Sequence, residues 1–327
     1  MAKPRRTLIV TEKPSQARSI IKGWEAVFPN DVITRFYTPP IGSFLFHLPR
    51  DLPIAEVPII AEPVLKPRSF ERLNWSEVSS LSKNFGDVAR AADHIVCATD
   101  FDATGCRNFL ELMRYYEINK PLHEVSWLGL QMEDFKSVVA AIKRDWRADH
   151  PDFTRMAAIG HARRYFDYLY LINALPVFGR ALRMAGLDTE GSLGFMSKYS
   201  LQTLLMLLRL GTDPLPEGRL ITLMRKNPLS KKGSQIGSPI SRPEILSWLE
   251  RSGCMERIGA GESNMRLFVV SDRGRRLARL LHKDCLDPDL GHRLEDWGAT
   301  WPESKPRIER YIRTYFGKQK RFLASFA

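Results

Sequence analysis

Two short apolar runs, each leading into carboxylates, frame the first part of the chain. Thr7-Leu8-Ile9-Val10-Thr11 leads into Glu12-Lys13-Pro14-Ser15, and His94-Ile95-Val96-Cys97-Ala98-Thr99 leads into Asp100-Phe101-Asp102. Continuous apolar runs this short read as buried parallel strands. Ligands of open α/β sheets bind just beyond the carboxyl ends of such strands. If the two strands are neighbours, Glu12, Asp100 and Asp102 converge at one place. Three carboxylates repel one another unless a cation sits among them, and Mg²⁺ favours hard oxygen ligands. A phosphate-handling metal site is therefore the first expectation.

Between and after these runs the period changes to that of helices. Pro14 suits the first turn of a helix that continues through Ile21, because its fixed φ is helical and its missing N–H is not needed there. Pro39-Pro40 and the prolines from Pro49 to Pro63 break the next region into loop and short strands. Thr104 to Tyr116 places Phe109, Leu112 and Met113 on one helical face. Glu124 to Leu128 reads as a further strand and Glu133–Trp146 as a helix, so residues 1–150 form an α/β domain with a mostly parallel sheet. Residues 151–236 read as a helical region: helices over Phe153–Phe178 and Ser197–Leu210, a turn-rich link from Gly186 to Gly194, and one short strand at Leu220-Ile221-Thr222-Leu223. Residues 237–327 open with a helix at Ser241-Arg242-Pro243-Glu244 that ends at Gly253. A hairpin over Met255–Ile258 and Met265–Val270 follows, then a basic helix from Ser271 through Leu281. Helix, hairpin and basic helix is half of a winged helix-turn-helix, a unit that binds DNA or simply packs against protein.

Charge adds a direction to this picture. Of the net +12, residues 218–327 carry +10, with 22 Lys and Arg against 12 Asp and Glu. A polyanionic partner engaged by the C-terminal third is the natural reading, with a merely solubilising surface as the alternative. From Trp297 to Phe322, aromatic and basic residues interleave. Such a segment could stack on unpaired bases, although aromatics at helical spacing more often fill the chain's own core. The four cysteines show no C-x-x-C pairing, which argues against zinc and disulfides, and Cys97 reads as a small core residue. No apolar run approaches the ~20 residues of a membrane span. The basic N-terminus is not followed by a signal-peptide apolar region, so no membrane association and a cytoplasmic location are expected.

These residues together resemble the catalytic domain of type IA DNA topoisomerases, closest to the bacterial topoisomerase III branch. Leu8 to Ala17 is similar to that family's opening strand, acidic residue and helix. Ser43-Phe44-Leu45-Phe46-His47-Leu48 resembles its histidine segment, and Ala98-Thr99-Asp100-Phe101-Asp102 resembles the acidic pair of the TOPRIM fold. Ala162-Arg163 with Asp167-Tyr168-Leu169 resembles the helix leaving that domain, and Ser192-Leu193-Gly194 the start of its arch. Gly237 to Arg242, Cys254 to Arg257 and Val270 to Arg275 resemble the winged-helix-like region beyond the arch. The resemblance implies a Rossmann-like TOPRIM domain and catalytic roles for Glu12, Lys13, Asp100, Asp102 and Arg225. It further implies Mg²⁺ at Glu12, Asp100 and Asp102, and DNA contacts from His47, Arg163, Arg242, Arg273, Arg275 and Arg276.

The departures from the family pattern change the expected function. In the run Arg219 to Arg225, Leu223 stands where the family has its nucleophilic tyrosine, and leucine has no oxygen to attack a phosphodiester. Few residues separate this run from the segments on either side, so the strand-gate domains are missing. Thr104 and Cys106 stand where the family continues with glutamates, leaving fewer charges for Mg²⁺. A shortened DNA-binding protein that does not relax DNA is the leading expectation. It would hold single strands, within a larger assembly such as that of a mobile element or phage. Metal-dependent nicking at the TOPRIM carboxylates is one alternative, with Lys13 and His47 on the phosphate. A displaced nucleophile at Tyr199 is a variant of it. A non-catalytic subunit whose basic tail binds protein or RNA is another.

Overall fold

The computed structural model describes residues 4–38, 44–48, 52–67, 85–132, 134–187, 196–211, 214–260 and 263–326. Pro39-Pro40, Ser43, Glu133 and Ser192-Leu193-Gly194 lie outside the described residues. The chain divides into two compact units. One comprises Met1–His47, Val64–Arg163 and Gly298–Pro302, the other Leu48–Pro63, Arg164–Trp297 and Glu303–Ala327.

The first unit is built on a four-stranded parallel sheet. Its strands are β1 (Arg6–Thr11), β2 (Val32–Tyr37), β5 (His94–Cys97) and β6 (Ser126–Trp127), in the order β2-β1-β5-β6. Alternation along β1 serves two cores at once. Leu8 and Val10 pack with Phe36, Phe85, Ile95, Cys97 and Phe109, whereas Ile9 packs with Ile20, Trp24, Val96 and Val138. Apolar side chains at every position are what burial on both faces demands. Helices α1 (Pro14–Val27) and α4 (Phe135–Arg144) cover the Ile9 face, where a Cβ at Gly23 would come within 2.5 Å of Val138 Cγ1. Helices α2 (Phe85–Ala91) and α3 (Ala103–Tyr115) supply the other core. A two-stranded antiparallel pair, β3 (Phe44–Phe46) with β4 (Leu65–Pro67), completes this unit.

The sheet order fixes the site. From β1 the chain moves outward to β2, then returns to place β5 on the opposite flank of β1, so the order reverses between these two strands. That switch point is where α/β sheets open a ligand crevice. The register Thr7↔His94 to Val10↔Cys97 makes β1 and β5 neighbours, the condition on which the convergence of their carboxylates depends.

The second unit is mostly helical: α5 (Pro151–Met184, of which the part from Arg164 belongs here), α6 (Lys198–Leu210), α7 (Glu217–Lys226), α8 (Ser241–Arg251), α9 (Asp272–Arg279), α10 (Leu290–Ala299) and α11 (Lys305–Ala324). A three-stranded antiparallel sheet, in the order β7-β9-β8, joins β7 (Leu215–Pro216) to the hairpin β8 (Met255–Ala260) and β9 (Ser263–Val270). The helix–hairpin–helix order over 241–279 is as the sequence predicts. Trp297, Tyr311, Tyr315 and Phe316 are core residues: they pack with Phe166, Tyr170 and Phe178. Trp297, Tyr315 and Phe316 are buried and Trp301, Tyr311 and Phe322 half-buried, while Arg307, Arg310, Arg313 and Arg321 of α11 are exposed.

One predicted element is overturned. Leu220-Ile221-Thr222-Leu223 is not a strand but the middle of α7. Leu220 and Met224 are buried four residues apart on one helical face, Glu217 lies in the first turn, and Arg225 and Lys226 lie in the last. That charge order complements the helix dipole, and Asn227 in the left-handed region ends the helix. Leu223 is half-buried. The helix Phe153–Phe178 is also longer than expected, running from Pro151 to Met184 through Pro176.

Candidate functional site: a carboxylate crevice at the sheet switch point

Glu12 follows β1 directly, and Asp100 and Asp102 lie in the loop between β5 and α3. Lys13 ends the β1 turn and caps α1. Its Nζ lies 3.0 Å from Asp100 Oδ2, and Gln16 Nε2 on the first turn of α1 donates to Asp100 Oδ1 at 3.0 Å. Gln16 Oε1 in turn accepts the Glu12 backbone N–H at 3.0 Å. One buried amide therefore ties both strand ends together. Asp102 accepts the Gly105 N–H at 2.7 Å as the N-cap of α3. Glycine is required at 105, since a Cβ there would lie 2.3 Å from the Asp100 carbonyl oxygen.

Glu12 is the most perturbed group of the site. Burial, then the negative charges of Asp100 and Asp102, push its carboxyl up to about 8, and it shares a hydrogen bond with Asp100. Asn108 Nδ2 on α3 approaches Glu12 Oε1 at 3.4 Å and favours the charged form slightly. At neutral pH Glu12 is thus held largely as the neutral acid. This is the state expected where one carboxylate too many shares a site. Behind it, burial pushes the Cys106 thiol above its ordinary range, so that cysteine is an inert core residue. All four cysteines are buried and unpaired with one another.

A cavity of about 460 Å³, bordered by Lys13, Gln16, Asp100, Phe101, Asp102, Leu130 and Gln131, opens onto this cluster. Glu12 interacts with both Asp100 and Asp102, and its proton is one that a divalent ion would displace. Among the described residues, however, no three His, Cys, Asp or Glu side chains stand ready-made as a metal cage. Asp100 is engaged by Lys13 and Gln16, and Asp102 by the start of α3.

The other predicted site residues fall elsewhere. His47 is exposed after β3, its N–H bound to the Val64 carbonyl, and Arg163 is exposed on α5; neither borders the crevice. Arg225, Arg273, Arg275 and Arg276 belong to the second unit, where Arg225, Arg273 and Arg276 are exposed and Arg275 half-buried. Arg242 corrects the sequence reading. It is 3% exposed, and its guanidinium donates to the Ile236 and Gly237 carbonyls and to Gln235 Oε1. It braces the turn before α8 and has no reach to a phosphate backbone. Tyr199 is half-buried on α6 with the Lys198 ammonium over its ring.

Sequence reasoning missed Gln16, Gly105 and Asn108. The signal for Gln16 was its place four residues after Glu12, one helical turn along α1. Gly105 signalled itself as a glycine in the first turn of a helix, where alanine is otherwise preferred. Among the described residues, no helix is long and apolar enough to cross a membrane. No protein-family model matches this sequence, and no curated protein sequence matches it.

Proposed function

We propose that this protein is a nucleic-acid-binding protein of TOPRIM type, related in design to type IA topoisomerases, that does not relax DNA. The observation that carries the reading is the adjacency of β1 and β5, which brings Lys13, Asp100 and Asp102 to one crevice with the buried Glu12 against Asp100. Two helix N-termini, those of α1 and α3, point their partial positive charge toward the same place, an arrangement suited to a phosphate. Asp100 and Asp102, with Glu12, would hold Mg²⁺ there, and the ion would offset the charge of a bound phosphate. Lys13 supplies a movable cation that can turn from Asp100 to a phosphate oxygen. Without an ion Glu12 keeps its proton at neutral pH, and Mg²⁺ binding would displace it. In the second unit, α8, the β8–β9 hairpin and α9 read as a winged-helix-like module whose exposed Arg273 and Arg276 meet a nucleic-acid backbone.

Strand passage is not part of the proposal. Leu223 lies on α7 and bears no nucleophile, so no covalent protein–DNA intermediate forms at that position. Incubation of negatively supercoiled plasmid with the protein and Mg²⁺ is expected to leave the topoisomer distribution unchanged while single strands are bound. Efficient relaxation would sink the reading. Conversion to nicked circles, lost in Asp100→Asn, would replace it by the metal-dependent nuclease reading.

A further inference from the structure

A second cavity, of about 380 Å³, adjoins the crevice and shares Phe101, Leu130 and Gln131 with it. Both volumes fall within the ~300–1,000 Å³ of small-ligand sites. Among the described residues, no carboxylate borders the second cavity. Met132, Ser137, Ala141, Arg144 and Trp146 complete its border. Phe101, the residue between the two aspartates, therefore borders both a chamber lined by Lys13, Asp100 and Asp102 and one lined by Arg144 and Trp146.

That ring is rigidly placed. It stacks on the fully buried Trp127 with centroids 5.4 Å apart and planes within 10°. Trp127 is stacked in turn on Trp146, and Trp146 on His150 at 4.3 Å. Arg144 closes the outer face of Trp146 at 3.5 Å, pinned by the Leu128 carbonyl. Trp146 is half-buried and already packed against Trp127, His150 and Arg144. Phe101 is only half-buried and borders both cavities. Exposed Gln131 and half-buried Ser137 add amide and hydroxyl groups that can pair with a base edge.

We propose that Phe101 is a stacking platform for one unpaired nucleobase, seated in the cavity between Phe101, Gln131 and Ser137 while its phosphate faces Lys13, Asp100 and Asp102. The inference rests on the functional reading above and adds to it a preference for unpaired strands, because a base held in duplex cannot enter this cavity. A base needs a flat apolar face beside polar edge partners, and every base offers a π-face to such a platform.

The test compares wild-type protein with Phe101→Leu and Phe101→Tyr. Each is measured for binding to a short single-stranded DNA and to the same backbone made wholly abasic. Leucine keeps apolar contact with Trp127 but removes the aromatic face; tyrosine keeps it. Phe101→Leu is expected to weaken binding of the base-bearing strand about tenfold, in line with the loss of one base–aromatic stack, with Phe101→Tyr close to wild type. The abasic strand should bind wild type and Phe101→Leu alike. Equal binding of both strands by the wild type, a measurement that does not depend on any variant folding, overturns the subsite alone. Failure of the wild type to bind either strand overturns the functional reading and the subsite with it.

Discussion

Gly105→Ala is expected to destabilise the protein by about 1–3 kcal/mol, the range for forcing a methyl group into a packed interior, and to disable the crevice at the same time. The new Cβ would sit 2.3 Å from the Asp100 carbonyl oxygen and 3.1 Å from both the Asp100 nitrogen and Thr99 Oγ1. The first two obstacles are backbone, so the loop carrying the aspartates must move. Movement there lifts Asp100 from Lys13 and Gln16, whose contacts are 3.0 Å long. For a chain of 327 residues, at ~2.1 cal/mol/K of unfolding entropy per residue, a 1 kcal/mol loss lowers Tm by about 1.5 °C. Gly218→Ala is the control, since nothing lies within 4 Å of a Cβ at that position of α7. It should be neutral or slightly stabilising, as alanine is the better helix former. Thermal unfolding and single-strand binding of the two variants check this together. Gly105→Ala with wild-type Tm and wild-type binding would show that the tight loop is not needed.

The second large effect is a pH dependence carried by Glu12. Its folded-state pKa of about 8 stands above the ordinary value of 4.5. Between these limits the folded chain holds a proton that the unfolded chain has released. Stability therefore falls as pH rises, fully present below about 4.5 and lost as pH climbs through 8. At ~1.4 kcal/mol for each pH unit between the two values, the loss is on the order of a few kcal/mol across the window. Glu12→Gln, which stays neutral, should abolish this slope and be the more stable protein at pH 8 and above. Urea unfolding at a series of pH values from 5 to 9 measures it. An unchanged slope in Glu12→Gln would mean that Glu12 is not the buried acid. Mg²⁺ bound at the crevice would displace the same proton and flatten the slope of the wild type, which gives a readout of metal binding independent of activity.

Much of the crevice was legible in the sequence because its physics is local. Apolar runs ending in Glu12 and in Asp100-Phe101-Asp102 marked strand ends, and Pro14 marked the start of α1. Adjacency of the two strands is a matter of sheet order; the sequence states it only as a condition, and the structure meets it. What escaped were residues whose role depends on a partner far along the chain. Gln16 acts by reaching Asp100, 84 positions away. Arg242 reads as a surface charge, yet it is buried because the turn before α8 presents two carbonyls to it. The run Leu220 to Leu223 was misread because its β-branched residues outweighed the four-residue spacing of Leu220 and Met224, which tertiary burial rewards. The interleaved aromatics and bases near the C-terminus divide cleanly in the structure: Tyr315 and Phe316 face the core, Arg310 and Arg313 face outward.

The central claim is that this chain binds unpaired nucleic acid through its phosphates and a base. Its most direct test is a salt titration of binding to a single-stranded oligonucleotide, with duplex of the same length as competitor. Log K is expected to fall linearly with log salt, with a slope of about −0.7 for each phosphate contacted, and duplex is expected to compete poorly. Binding that is absent, or that ignores salt and strandedness alike, would contradict it.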